Sequence, residues 1–65
     1  MIKSKLRVVL AERNIRKGEF AKNIGLSASA FSLVVNEKSV PTLSAALRIA
    51  KGLELKVEDI WTLED

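Results

Sequence analysis

Residues 17–34 read KGEFAKNIGLSASAFSLV. With Lys17 as the first position, Phe20 is the fourth, Ala21 the fifth, Ile24 the eighth, Gly25 the ninth, Leu26 the tenth, Phe31 the fifteenth and Val34 the eighteenth. A small residue at the fifth position lets two helices cross closely, and a glycine at the ninth supplies a turn with positive φ. The apolar residues at the other five positions make a shared core. All seven positions fit this geometry, so the stretch predicts a helix from about Lys17 to Asn23, a sharp turn at Gly25 and a second helix packed across the first. That arrangement is a helix-turn-helix.

Outward from this pair the apolar residues recur at three and four rather than two, which predicts helices throughout. Leu6, Val9 and Leu10 share one face of a first helix over roughly residues 3–13, ended near Asn14, a residue that tolerates left-handed geometry. Ser27 is a good N-cap for the third helix, which buries Phe31, Val34 and Val35 and stops around Asn36. Glu37 to Pro41 is a loop, because Pro41 disfavours helical geometry at Val40, and Thr42 caps a fourth helix. Leu43, Ala46, Leu47, Ile49 and Ala50 form its buried stripe, with Gly52 as its end. A short fifth helix over about 57–62 carries Glu58 and Asp59 near its start, favourable for the helix dipole, and offers Val57, Ile60 and Trp61 to packing. The expectation is an all-α, five-helix domain spanning residues 1–65.

Composition narrows what such a domain does. The 65 residues contain no Cys, His or Tyr. No zinc finger, thiol nucleophile, disulfide framework or imidazole base can be assembled, and eight scattered carboxylates are poor material for a hydrolase. No enzyme activity, metal or cofactor is expected. The run Leu6 to Ala11 after Lys3 and Lys5 is too short for a secretory signal, and no segment approaches the roughly 20 apolar residues of a membrane span. A cytoplasmic location is the expectation.

Charge is unevenly placed. Residues 1–22 hold Lys3, Lys5, Arg7, Arg13, Arg16, Lys17 and Lys22 against Glu12 and Glu19, whereas residues 53–65 hold Lys56 against Glu54, Glu58, Asp59, Glu64 and Asp65. A basic front and an acidic end suit an anionic partner docked on one face.

The chain resembles the Cro and phage-repressor type of helix-turn-helix domain, also called xenobiotic-response-element type or lambda-repressor-like. The resemblance rests on LRVVLAERNI at 6–15, FAKNIGLSASAFSLVVNEKSVPT at 20–42, LSAALRIAKGLEL at 43–55 and KVEDIW at 56–61, in the family's order. It implies a five-helix domain whose third helix enters the DNA major groove as part of a homodimer on a palindromic operator. A repressor is the regulator it most suggests.

Carried over position by position, the resemblance implies phosphate contacts from Arg13, Arg16, Lys17, Ser27, Asn36 and Lys38. It places Ala28, Ser29, Ser32 and Leu33 against the bases. None of these four is the Arg, Gln or Asn that makes bidentate contacts to purines, so direct readout is expected to be weak. Three further departures stand out. Lys17 carries a charge where the family often has an amide. Leu10 and Val35 are apolar where many members place an arginine and a glutamate, a paired change that avoids stranding one buried ion. Glu37 stands where glycine is common: its carboxylate lies near the expected phosphate path and is repelled by it, which lowers the expected affinity, and it is strained if the loop needs positive φ that Asn36 does not absorb.

Leu53, Leu55, Val57, Trp61 and Leu63 offer more apolar surface than so small a monomer readily covers, and imply a dimer interface. The alternative to a DNA-binding regulator is a protein-interaction module on the same fold, such as an antirepressor, an antitoxin-like partner or a coactivator adaptor, using the Ala28, Ser29, Ser32, Leu33 face.

Overall fold

The computed structural model describes residues 1–64. In chain order its elements are β1 (Ile2–Ser4), α1 (Leu6–Glu12), α2 (Lys17–Asn23), α3 (Ala28–Val35), α4 (Leu43–Leu53), α5 (Val57–Ile60) and β2 (Trp61–Leu63). Five helices form where the spacing placed five. The all-α expectation is corrected at the two chain ends, which pair as an antiparallel ribbon.

Two helices begin on hydroxyl caps. Ser27 Oγ accepts from the Ala30 N–H and Thr42 Oγ1 from the Ala45 N–H, each at 3.1 Å, satisfying amides that the first turn leaves unpaired. Four helices end alike. At Asn14, Gly25, Glu37 and Glu54, φ is 55°, 81°, 58° and 58°. Each of these residues donates its N–H three residues back, to Ala11, Lys22, Val34 and Lys51, and its successor donates five back, to Leu10, Ala21, Leu33 and Ala50. This Schellman arrangement satisfies the last carbonyls of each helix. Gly25 takes the left-handed backbone freely, whereas Glu37 and Glu54 carry its steric cost of about 1 kcal/mol each.

Gly52 does not end α4, as the spacing suggested; the helix runs on to Leu53 and turns at Glu54. Its glycine serves packing instead. A Cβ at Gly52 would lie 2.9 Å from Ile24 Cγ2 and from Phe20 Cζ, so a side chain there would have to displace them.

The core holds Leu6, Leu10, Phe20, Ala21, Phe31, Val34, Val35, Ile49, Ala50, Leu53 and Ile60 in one cluster. The rings of Phe20 and Phe31 sit 5.5 Å apart and tilted by 45°, joining α2 to α3. Leu10 and Val35 are both buried in this cluster, where an ionised pair would have been desolvated. Two residues assigned to the buried stripe of α4 are not in it: Leu43 is 74% and Leu47 53% exposed. The stripe that α4 buries is Ala45, Ala46, Ile49, Ala50 and Leu53.

At the chain ends, Ile2 pairs with Leu63, Lys3 with Thr62 and Ser4 with Trp61. The first helix therefore starts at Leu6 rather than Lys3, and the fifth stops at Ile60 rather than Thr62. Trp61, Thr62 and Leu63 include an aromatic and a β-branched side chain, which suit a pleated ribbon. The Lys5 N–H donates to the Ile60 carbonyl at 2.8 Å, and Lys3 Nζ lies 3.7 Å from Glu64 Oε1 across the strands.

Candidate nucleic-acid interface

α3 turns Phe31, Val34 and Val35 into the core, so helical geometry leaves Ala28, Ser29, Ser32 and Leu33 on its outer side. All four are exposed. Around them, Lys17 opens α2, Ser27 precedes α3, and Asn36 and Lys38 follow it, all with exposed side chains. Because Ser27 Oγ accepts from the Ala30 N–H, its own proton is left to donate to an anion. A small, weakly polar helix face bordered by cations and neutral donors is thus presented to solvent. The face itself carries no charge, and the carboxylate on this border is that of Glu37, exposed between Asn36 and Lys38, which opposes the approach of a polyanion.

The remaining cations are placed less simply. Arg16 Nη1 is 3.9 Å from Glu19 Oε1, an exposed pair one helical turn long that contributes little to stability. Arg13 was assigned with the phosphate contacts, but its Nη1 donates to the Leu53 carbonyl at 2.5 Å, closing the end of α4. The residue is exposed, and its guanidinium keeps further N–H donors beyond this bond. Glu37 does take positive φ, and Asn36, at φ −85°, does not relieve it. The Glu37 carboxylate accepts from the Ser4 N–H at 3.3 Å and so ties the loop after α3 to β1.

Two further arginines reach this region from other helices. Arg7 Nη2 donates to Asn36 Oδ1 at 2.7 Å, which carries a cation from α1 to the end of α3. Arg48 Nη1 donates to the Gly25 carbonyl at 3.4 Å and braces the turn between α2 and α3 from α4. Neither link has a local signal, because the partners are 29 and 23 residues apart.

The residues expected at a dimer interface divide. Leu53 is 1% exposed and belongs to the core, a correction with a plain cause: α4 continues past Gly52 and points it inward. Leu55, Val57 and Trp61 are half-buried against the core, and Leu63 is 75% exposed. The apolar surface that does face solvent lies beside them. A shallow groove is lined by Ile2, Val40, Pro41, Leu43, Ala46, Val57 and Trp61, without one charged side chain.

Among the described residues no three acidic, histidine or cysteine side chains come together as a metal site, and no helix is long and apolar enough to cross a membrane. Comparison with known proteins agrees with the geometry. Residues 5–65 match the family model of the Cro/C1-type HTH DNA-binding domain. Over 64 residues the chain is 34% identical to an uncharacterized HTH-type transcriptional regulator of Methanocaldococcus jannaschii, covering 98% of this chain and 97% of that one. The crystal structure of a candidate DNA-binding protein from Bacteroides fragilis superposes with a TM-score of 0.83 at 26% identity, covering 95% of this chain and all of that one. The family is one of DNA-binding regulators rather than of enzymes, and with a fold and a sequence match over nearly its whole length in common, this chain belongs to the Cro/C1-type helix-turn-helix DNA-binding domain family.

Proposed function

We propose that the protein is a transcriptional repressor that binds a palindromic operator as a homodimer. α2 and α3 act as the helix-turn-helix, and α3 lies in the major groove. The observation that carries this reading is the outer side of α3, where Ala28, Ser29, Ser32 and Leu33 are exposed between Lys17 and Ser27 at one end and Asn36 and Lys38 at the other. Arg13, Arg16, Lys17, Ser27, Asn36 and Lys38 hold the phosphates, while the four α3 residues face the bases. With only small contacts available there, sequence preference draws on DNA shape and on the spacing of the two half-sites.

The dimer forms through the uncharged groove between the ribbon and α4. Ile2, Val40, Leu43 and Leu47 are 49%, 69%, 74% and 53% exposed. Contiguous apolar surface of this kind is uncommon on a stable monomer. A two-fold axis sets a patch against itself, and a patch without charge meets its own copy without repulsion. A footprint on a bound operator tests the assembly: two protected major-groove segments one helical turn apart, about 34 Å, are expected. One protected segment, filled by a single chain, contradicts it.

One observation favours a second reading. A groove lined by Leu26, Ala30, Leu33, Val34, Val40 and Pro41 borders the α3 face and is mostly apolar. A protein-interaction module would use that groove for a partner's side chain, and its binding would respond little to salt.

A further inference from the structure

The outer side of α3 carries two hydroxyls, on Ser29 and Ser32, and one large apolar side chain, that of Leu33. A hydroxyl both donates and accepts, so neither serine separates one base from another well. Leu33 offers no hydrogen bond at all. It is 47% exposed, stands one turn after Ser29, and lines the same groove as Leu26, Ala30, Val40 and Pro41. Its place is fixed from behind. The Leu33 carbonyl accepts from the Lys38 N–H at 2.9 Å and from the Ser39 N–H at 3.3 Å, which holds Lys38 and Leu33 in one register. A phosphate gripped by Lys38 therefore also sets where Leu33 meets the duplex.

We propose that Leu33 reads the C5-methyl group of a pyrimidine, so that the protein selects thymine, or cytosine methylated at C5, at one position of each half-site. The proposal rests on the operator-binding function above and adds to it the chemical group that is recognised. Of the four bases only thymine presents a methyl group in the major groove; cytosine presents an amino group there, and each purine presents N7 with a further polar group beside it. A leucine set against those polar groups takes them out of water without giving them a partner, which costs free energy. Set against a methyl group, it gains by the burial of both apolar surfaces. Methylated cytosine carries that group at the same ring position as thymine, so methylation of the operator there strengthens binding.

Anisotropy titrations of the wild type, Leu33→Ala and Leu33→Met test this on a duplex that the wild type selects from a randomised library. Uracil replaces each thymine in turn, which removes the methyl group and keeps every hydrogen-bonding group; cytosine and 5-methylcytosine are then compared at the position so found. At one position of each half-site uracil is expected to weaken wild-type binding about three- to fivefold, the value of one buried methyl group. At that position 5-methylcytosine should bind more tightly than cytosine by a similar factor. Leu33→Met should keep both differences and Leu33→Ala should abolish both, with a melting midpoint nearly unchanged because the side chain is exposed. The proposal is overturned if no uracil weakens binding, or if Leu33→Ala leaves the uracil and 5-methylcytosine differences intact, since the methyl group then acts through DNA shape or another side chain. A wild type that selects no sequence at all overturns the operator-binding function itself, and this inference with it.

Discussion

α3 and α4 begin and end alike but face different surroundings. Both start on a hydroxyl cap of 3.1 Å, and both stop at a glutamate with φ of 58°. Their inner sides enter the same core, through Phe31, Val34 and Val35 from α3 and through Ile49, Ala50 and Leu53 from α4. Outward, α3 shows the small Ala28, Ser29 and Ser32 with one leucine, Leu33, whereas α4 shows two more exposed leucines, Leu43 and Leu47, beside Ser44, Arg48 and Lys51. Identical local rules thus build two helices, and the outer side chains distinguish the one proposed to meet DNA from the one proposed to meet a second copy. The comparison can be broken at its inner sides, at its outer sides or at its ends.

The largest effect is expected at the inner side of α3. Val35→Glu places an unpaired carboxylate in the core cluster that also holds Leu10 and should cost about 3–5 kcal/mol, enough to unfold a domain of this size. A thermal melt checks it, and adding Leu10→Arg should recover part of the loss. An unchanged melting midpoint for Val35→Glu would show that the two positions are not packed as described.

Next comes the inner side of α4. Gly52→Ala forces a methyl against Phe20 and Ile24 and should destabilise by about 1–3 kcal/mol in urea unfolding, although alanine is the better helix former. A stabilised variant would mean that α2 and α4 are further apart than they stand here.

At the outer side of α4, Leu43→Asp sets two like charges near the proposed two-fold axis. Sedimentation should show self-association weakened about tenfold or more, toward the 7.2 kDa single chain, with monomer stability nearly unchanged because the side chain is exposed. The smallest effect belongs to the helix ends. Glu54→Gly relieves the left-handed backbone and should stabilise by up to about 1 kcal/mol. Glu37→Gly should gain less, because it also removes the acceptor for the Ser4 N–H.

Much of the fold was legible because its signals are local. Ser27 and Thr42 could be named as caps from their position before an apolar run, and Asn14 and Gly25 as helix ends from their tolerance of positive φ. Glu54 could not, because glutamate carries no such preference and Gly52, two residues earlier, offered a more obvious stop. The ribbon was hidden for a different reason: Ile2–Ser4 is ordered by Trp61–Leu63 at the far end of the chain, and three residues are too few to show a period. Spacing also tells which side of a helix is apolar but not how much of it neighbours cover, so Leu43 and Leu47 were placed inside. In the candidate site, the outer face of α3 followed from its inner face. The Arg7 and Arg13 hydrogen bonds depend on tertiary distances that no single stretch encodes.

The central claim is that the cation-bordered face of α3 binds DNA. It is tested most directly by anisotropy titration against duplex fragments from the protein's own genomic neighbourhood at about 50 and 200 mM salt, beside a Lys17→Ala/Lys38→Ala double variant. Saturable binding to one fragment is predicted, weakening about 10²- to 10⁴-fold between the two salts, with the log–log slope of the variant shallower by about two. Equal weak binding to every fragment, or binding indifferent to salt and to both lysines, would contradict it.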